Sequence, residues 1–378
     1  MGAAARLYKE RGYHNVSMDD VAATVGLTGP ALYRHFHNKH DILAQALTDQ
    51  LKAVEEVGRA ALEVENPAGR LELFLSDLGD LVLGQEEALL WKRERRHLTG
   101  DEQVEFRAQL RVVLDLAVAA LGLGTDAGSR PESGLLTWSV LSVYSNTRYY
   151  RAKLDEARTK RILAAAAASI LHCDLRPARP GVAADLVPHR PVGRRERILA
   201  TATRLFDRDG FYAVGIEEIA AESDTAIATF YQNFLGKTEL LHAVLARGAE
   251  GLQYVTRHRL GTAETPHDVL DVLVRTYIEL ALGPHRPLLG ILYADLIYLP
   301  DAEQQAIRGS EREYVAEWVA AIQGVRPGLD VQGARALAHS AIGIVNDIVP
   351  IANMRARPRI ADELRLILMA VLGTEPVT

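Results

Sequence analysis

Apolar residues recur three and four positions apart along most of the chain, alanine and leucine dominate, and β-branched alternation is scarce. That periodicity predicts an all-α protein. It is sharpest over residues 18–42, where two short helical patterns flank a turn. Val21, Ala22 and Val25 carry the apolar face of the first, with Ser17 at its N-cap and Asp20 three residues on as a capping box. Gly26 supplies the residue type that accepts positive φ without steric penalty. Thr28 can cap the second helix, Pro30 fits its first turn, and Ala31, Leu32 and Phe36 form its buried face. Helix, glycine turn and second helix make a helix-turn-helix pattern, whose second helix lies in a DNA major groove.

Further helices follow. One begins after Asn38 and ends before Pro67, and others are predicted over 68–83, 85–97, 101–121, 131–154 and 156–172. Later in the chain the pattern predicts helices over 236–260, 266–282, 284–298, 301–323, 331–354 and 358–372. Bundles of that length have room for a pocket between helices.

The two series are related. ARLYKERGYHNVSMDDVAA, residues 5–23, matches TRLFDRDGFYAVGIEEIAA, residues 203–221. Gly12 pairs with Gly210, an offset of 198, and the same ungapped offset pairs Tyr33 with Tyr231, Phe36 with Phe234, Lys39 with Lys237 and Leu43 with Leu241. LTGDEQ from Leu98 echoes LPDAEQ from Leu299 at an offset of 201, and Asn146 corresponds to Asn346 at 200. One unit of about two hundred residues is written twice. Prolines 177, 180, 188 and 191 separate the copies and predict an extended connection. The expected division is a head at 1–47, a helical effector and dimerisation domain at 48–173, a Pro-rich linker at 174–191, a second head at 192–246 and a second effector and dimerisation domain at 247–378.

At 378 residues the chain exceeds what one core serves, in keeping with several domains, and 48% apolar residues exclude a disordered chain. A net charge of −6 argues against indiscriminate polyanion binding but leaves room for a basic face of limited size. Cys173 is the sole cysteine, so no intrachain disulfide can form and a reducing compartment is expected. The most apolar run, residues 162–171, is too short to span a bilayer and follows Lys160 and Arg161. The first residues read as helix rather than signal peptide, and Arg6 stands where myristoylation wants Ser or Thr. The expected location is cytoplasmic.

LYKERGY followed by VAATVGLTGPALYRHFHNKHDIL, and LFDRDGF followed by IAAESDTAIATFYQNFLGKTELL, resemble the tetracycline-repressor (TetR) family of transcriptional regulators. The resemblance covers about the first 45 residues of each copy. It implies two three-helix, homeodomain-like heads, each on a helical bundle that dimerises and binds a small effector, with the chain acting as a covalent pseudo-dimer on an imperfect palindrome. Further pairing of two chains is left open. Carried over by position, the DNA-facing residues of the first copy are Thr28, Gly29, Pro30, Ala31, Tyr33 and His35, with Lys39 on phosphate. Those of the second are Ala226, Ile227, Ala228, Thr229, Tyr231, Asn233 and Lys237, preceded by the basic arm holding Arg194 and Arg195. A lysine beside a helix N-terminus and a tyrosine hydroxyl suit phosphate oxygens, while Asn233 can read an adenine edge and Thr229 a thymine methyl.

Each head departs from the pattern once. The turn glycine is Asp224 in the second copy, and the first lacks the basic arm and first helical turns that RPVGRRERILA gives the second. Either the start lies upstream or the first head is less firmly anchored.

Candidate chemistry beyond DNA is thin. Glu94 and His97 have a Glu-x-x-His spacing, but the second copy has no histidine around Asp295 to match it, so no metal or other cofactor is expected. No phosphate-binding glycine loop or nucleophile elbow occurs, and Cys173 beside His172 is read as incidental. The chain is read as no enzyme. Trp91, Trp138, Tyr144, Tyr149 and Tyr150 in the first bundle, and Tyr277, Tyr293, Tyr298, Trp318 and Asn346 in the second, are the candidates for an effector pocket, with core packing the simpler role. Lys92, Arg93, Arg95 and Arg96 form a solvated face or meet an acidic, acyl-CoA-like ligand. One pocket can also serve while the other is filled as an interface. The expected function is a ligand-released repressor whose partners are a double-stranded operator and a small, hydrophobic or acyl-CoA-like effector. The alternative is a ligand-binding or protein-interaction module whose heads have lost DNA affinity.

Overall fold

The structure, a computed structural model, describes residues 2–84, 94–124, 132–147, 154–175 and 191–373. The chain divides into two compact units, Met1–His172 and Cys173–Thr378. Every regular element among the described residues is helical.

In the first unit α1 (Gly2–Arg11), α2 (Met18–Thr24) and α3 (Gly29–Leu32) form a three-helix head. The bundle comprises α4 (Lys39–Leu62), α5 (Pro67–Gly84), α6 (Gly100–Ala120), α7 (Ser133–Ser145) and α8 (Glu156–Leu171). Ser17 and Asp20 form the full capping box on α2, each satisfying an N–H that the helix start leaves open. The Asn38 side chain accepts from the His40 and Asp41 N–H groups and so starts α4. This long helix packs against α5 and α6, and α8 lies against α5 and α7. Head and bundle share one core: Leu7, Tyr8, Val21, Leu32 and Leu43 meet Leu98, Phe106 and Val113.

The second unit repeats the plan. Its head is α9 (Arg194–Asp209), α10 (Ile216–Glu222) and α11 (Ile227–Asn233). Its bundle is α12 (Lys237–Leu260), α13 (Pro266–Leu282), α14 (Arg286–Asp295), α15 (Asp301–Val325), α16 (Val331–Ile348), the single turn α17 (Ala352–Arg355) and α18 (Ile360–Leu372). Here too Phe206, Phe211, Val214 and Phe234 of the head share a core with Ile291, Leu296, Leu299 and Ile307. The weaker echo at the offset of 201 is structural. Gln103 donates to the Leu98 carbonyl at 3.0 Å, and Gln304 donates to the Leu299 carbonyl at 2.8 Å.

Two expected helices are shorter than their apolar pattern. The one predicted over 131–154 ends at Ser145. The one predicted over 331–354 ends at Ile348, because Pro350 has no N–H to continue the ladder and its ring blocks the preceding turn. The expected helix over 85–97 lies largely outside the described residues; within them Arg95–His97 is a 3-10 turn. Most of the Pro-rich segment also lies outside them. No helix among the described residues is long and apolar enough to cross a membrane.

Candidate nucleic-acid interface

The turn between the two reading helices is built the same way twice. Gly26 has φ +69°, and Asp224, at the matching position, has φ +54°. Leu27 N–H bonds the Ala22 carbonyl at 2.9 Å, and Thr225 N–H bonds the Ala220 carbonyl at 3.0 Å. Aspartate thus accepts the left-handed conformation that the turn imposes. The departure seen in the sequence leaves the turn intact. Arg197 lies 3.5 Å from the Asp224 carboxylate, an exposed contact of little energetic weight. Asp224→Val, which puts a β-branched side chain at positive φ, is expected to cost the second head about 1–2 kcal/mol, while Asp224→Gly stays within about 0.5 kcal/mol of the parent. Denaturant unfolding followed at the second head checks both.

The residues carried over by motif fall into three groups. Thr28, Pro30 and His35 are exposed, as are Ala226, Ile227 and Ala228. Tyr33 and Tyr231 are each 54% exposed, so the two copies present the same hydroxyl on the same surface. Gly29, Ala31, Thr229 and Asn233 are half-buried. A Cβ at Gly29 would meet the Asp19 carboxylate, which gives that glycine a packing role. The Asn233 amide donates to the Thr229 carbonyl at 2.8 Å, so one of its two N–H donors is used inside its own helix. Arg194 and Arg195 are exposed at the start of α9, and the Arg195 guanidinium lies 5.0 Å over the Phe234 ring. The first reading helix is a single turn of four residues, whereas the second runs for seven.

The two lysines are placed differently from the phosphate role expected of them. The Lys39 ammonium donates to the carbonyls of Tyr13 at 3.0 Å, Val16 at 3.0 Å and His14 at 3.4 Å, which uses its three donors. Lys237 donates to the carbonyls of Phe211 and Val214, both at 2.8 Å. Each ammonium also lies 4.5 Å over an aromatic ring, Tyr13 or Phe211. Partial burial lowers both from the ordinary lysine value. They clamp the loop after the first helix onto the start of the bundle helix. The sequence hid this because the acceptors stand 23–26 residues away.

Beneath each clamp sits a buried carboxylate that sequence reading missed as such. Glu94 and Asp295 correspond at the offset of 201, and both are fully buried. In the first unit Tyr13 stacks on His97 at 4.9 Å and His14 stands edge-on to the same ring at 4.7 Å. In the second, Phe211 stacks on Tyr298 at 6.0 Å and Tyr212 stands edge-on to it at 4.6 Å. Asp295 accepts from the Phe211 N–H at 3.3 Å, and Glu94 Oε2 lies 3.3 Å from His97 Nε2. Tyr298, a candidate for the effector pocket, thus packs at the joint between head and bundle. Glu94 and His97 act there too, and among the described residues no three His, Cys, Asp or Glu side chains cluster as a metal site.

Of the other pocket candidates, Tyr277 donates to Asn346 Oδ1 at 2.7 Å inside the second bundle, and Tyr277, Tyr314 and Trp318 form a ring cluster with centroids 6.0–6.3 Å apart. The Tyr314 hydroxyl faces Trp318 and Thr256, and burial pushes it up to about 12. Trp318 Nε1 and Ser340 Oγ are buried with no hydrogen-bond partner of normal geometry. Tyr293 is half-buried on α14. In the first bundle Trp138 and Tyr144 are buried on α7, while Trp91, Tyr149 and Tyr150 lie outside the described residues, as do Lys92 and Arg93.

Comparison with known proteins agrees with this geometry. Residues 1–46 and 198–244 both match the model of the bacterial regulatory proteins, tetR family. The chain is similar to the HTH-type transcriptional activator FasR of Mycolicibacterium smegmatis, at 31% identity over 86 residues, 23% of this chain and 39% of the relative. It is similar to the transposon Tn10 TetC protein of Escherichia coli, at 25% identity over 105 residues, 28% of this chain and 53% of the relative. The chain thus spans about two fifths and about half of these curated relatives. Among solved structures, a TetR-family regulator from Bordetella parapertussis 12822 aligns at 20% identity and a TM-score of 0.44, over 49% of this chain and 96% of its own. With two matches to the family model on two heads of one geometry, the chain carries the DNA-binding head of the tetR-family regulatory proteins twice, as a tandem duplication.

Proposed function

We propose that the chain is a transcriptional regulator that grips an imperfect palindrome with its own two heads, and that an effector releases it. The observation that carries this reading is the repeated reading surface: the same left-handed turn at Gly26 and Asp224, followed by Tyr33 and Tyr231 with equal exposure. Tyr33 and Tyr231 contact phosphate, Arg194 and Arg195 add backbone charge for the second head, and unlike side chains at Thr28, Pro30 and His35 against Ala226, Ala228 and Asn233 meet the bases. The half-sites therefore differ in sequence, and they lie about one helical turn, 34–36 Å, apart. Lys39 and Lys237 serve this surface indirectly, by holding each head on its bundle.

The residues read as receiving the effector are Tyr277, Tyr314, Trp318 and Asn346, where phenol, indole and amide groups meet in the interior of the second bundle. Such a lining suits a hydrophobic molecule with one or two polar groups. Its entry would move α14, which carries Asp295 beneath the second head, and so change how the heads fit successive grooves. The chain supplies binding and coupling rather than catalysis, and it works where DNA is, in the cytoplasm.

Selection of bound duplexes from a random pool tests the reading. The expected result is a motif of two unequal half-sites whose binding weakens steeply with salt. Absence of any enriched sequence, with weak binding insensitive to salt, would leave the heads as protein-interaction modules.

A further inference from the structure

The joint between head and bundle is built twice with one geometry and two chemistries. Where the second unit has Tyr212 edge-on to Tyr298, the first has His14 edge-on to His97, at 4.6 and 4.7 Å with ring planes at 85° and 86°. Phenols stay neutral across the physiological range, whereas imidazoles do not. We infer that the first joint is a proton-controlled latch: His14, edge-on to His97 above buried Glu94, seats the first head when neutral, and acidification loosens that head while the second stays seated.

The charges around the pair set the sign. Tyr8 on α1, Tyr13, Lys39 and Asp41 on α4, Glu94 and Arg96 from the turn, and Glu102 on α6 face this joint. The Glu94 carboxylate lies 3.3 Å from His97 Nε2. A proton on His14 would sit beside that imidazole and near the cations of Lys39 and Arg96. Partial burial, then His97, Lys39 and Arg96, hold His14 below the ordinary histidine value, against a smaller pull from Glu94. His14 therefore favours the docked joint only when neutral. An undocked His14 takes its proton near pH 6.5, so the contribution to docking is complete above that pH and is lost as pH falls below it. Each pH unit within that window shifts the docking equilibrium up to about tenfold. His14 lies at the exposed edge of the joint, where solvent protons reach it. The second joint has no histidine at either position and so keeps its strength.

Loosened on its bundle, the first head contributes less to an operator held by two. The regulator's grip on the first half-site would then weaken on acidification. This consequence rests on the DNA-binding reading above; the latch itself does not.

Amide hydrogen exchange on the full chain without DNA tests it, with rates corrected for intrinsic pH dependence. Between pH 7.5 and 5.5, protection of residues 12–16 is expected to fall by up to about tenfold, while that of residues 210–214 changes less than about twofold. The variant His14→Tyr with His97→Tyr, which installs the side chains of the second joint, is expected to abolish the difference. Equal losses in both segments, no loss in the first, or an unchanged loss in the tyrosine variant would overturn the latch. The comparison within the parent chain decides even if the variant fails to fold. A footprint on a selected duplex then separates the two ideas. No binding at pH 7.5 refutes the DNA reading alone, and protection of the first half-site that is no weaker at pH 5.5 than at pH 7.5 refutes the latch alone.

Discussion

Lys237→Met is expected to destabilise the second head by about 2–3 kcal/mol in the absence of any DNA. Methionine keeps the stem of the side chain but removes the ammonium that satisfies the Phe211 and Val214 carbonyls. Both acceptors lie in the loop that also presents Phe211 N–H to the buried Asp295 carboxylate, so the carboxylate loses its nearby cation as well. Leaving buried acceptors unsatisfied, and a buried carboxylate without its nearby cation, costs more than the net value of the original bonds. Lys39→Met is expected to behave alike in the first head, since its ammonium holds three carbonyls. Hydrogen exchange at residues 210–214 and denaturant unfolding measure the loss. A lysine that only touched phosphate would leave both unchanged and lower the salt slope of DNA binding by about one.

Trp318→Ala is expected to cost the second unit about 3–5 kcal/mol, the range for emptying a buried indole site. Trp318 is fully buried on α15 and packs edge-on against Tyr277 at 6.2 Å and Tyr314 at 6.3 Å. Tyr277 is held from collapsing into the space, because its hydroxyl is tied to Asn346. The cavity term should therefore add nearly in full. Circular dichroism during chemical unfolding is the suitable probe, since the substitution removes the lone tryptophan of residues 173–378. If the cluster is the effector site, Trp318→Phe, which keeps most of the packing, lowers effector affinity more than it lowers stability.

The heads were legible in the sequence because their signals are local. Ser17 with Asp20, Gly26, and Pro30 near the start of a helix each fix a backbone conformation within four residues, and the structure carries out each of them. The repeat was legible because Gly12 and Gly210 occupy one special conformation, φ 79° and 82°, that glycine alone adopts cheaply. What could not be read were side chains whose partners lie far along the chain. A lysine at a helix start reads as a phosphate ligand until the carbonyls it holds are seen. Glu94 reads as half of a metal pair, and Tyr298 as a pocket residue, until the loop after the first helix is folded against them. Aligning the copies offered the missing signal, because it sets Glu94 against Asp295 and His97 against Tyr298, acid on acid and ring on ring.

That the chain reads one operator with two unequal heads is tested most directly by making the heads equal. The variant Ala226→Thr, Ile227→Gly, Ala228→Pro, Thr229→Ala, Gln232→Arg and Asn233→His gives the second head the outer face of the first while keeping buried Phe230 and Phe234. Duplex selection with this variant is predicted to return a perfect palindrome whose two halves both match the half-site of the first head in the parent motif. A motif identical to that of the parent, or one with a single half-site in both proteins, would contradict the account.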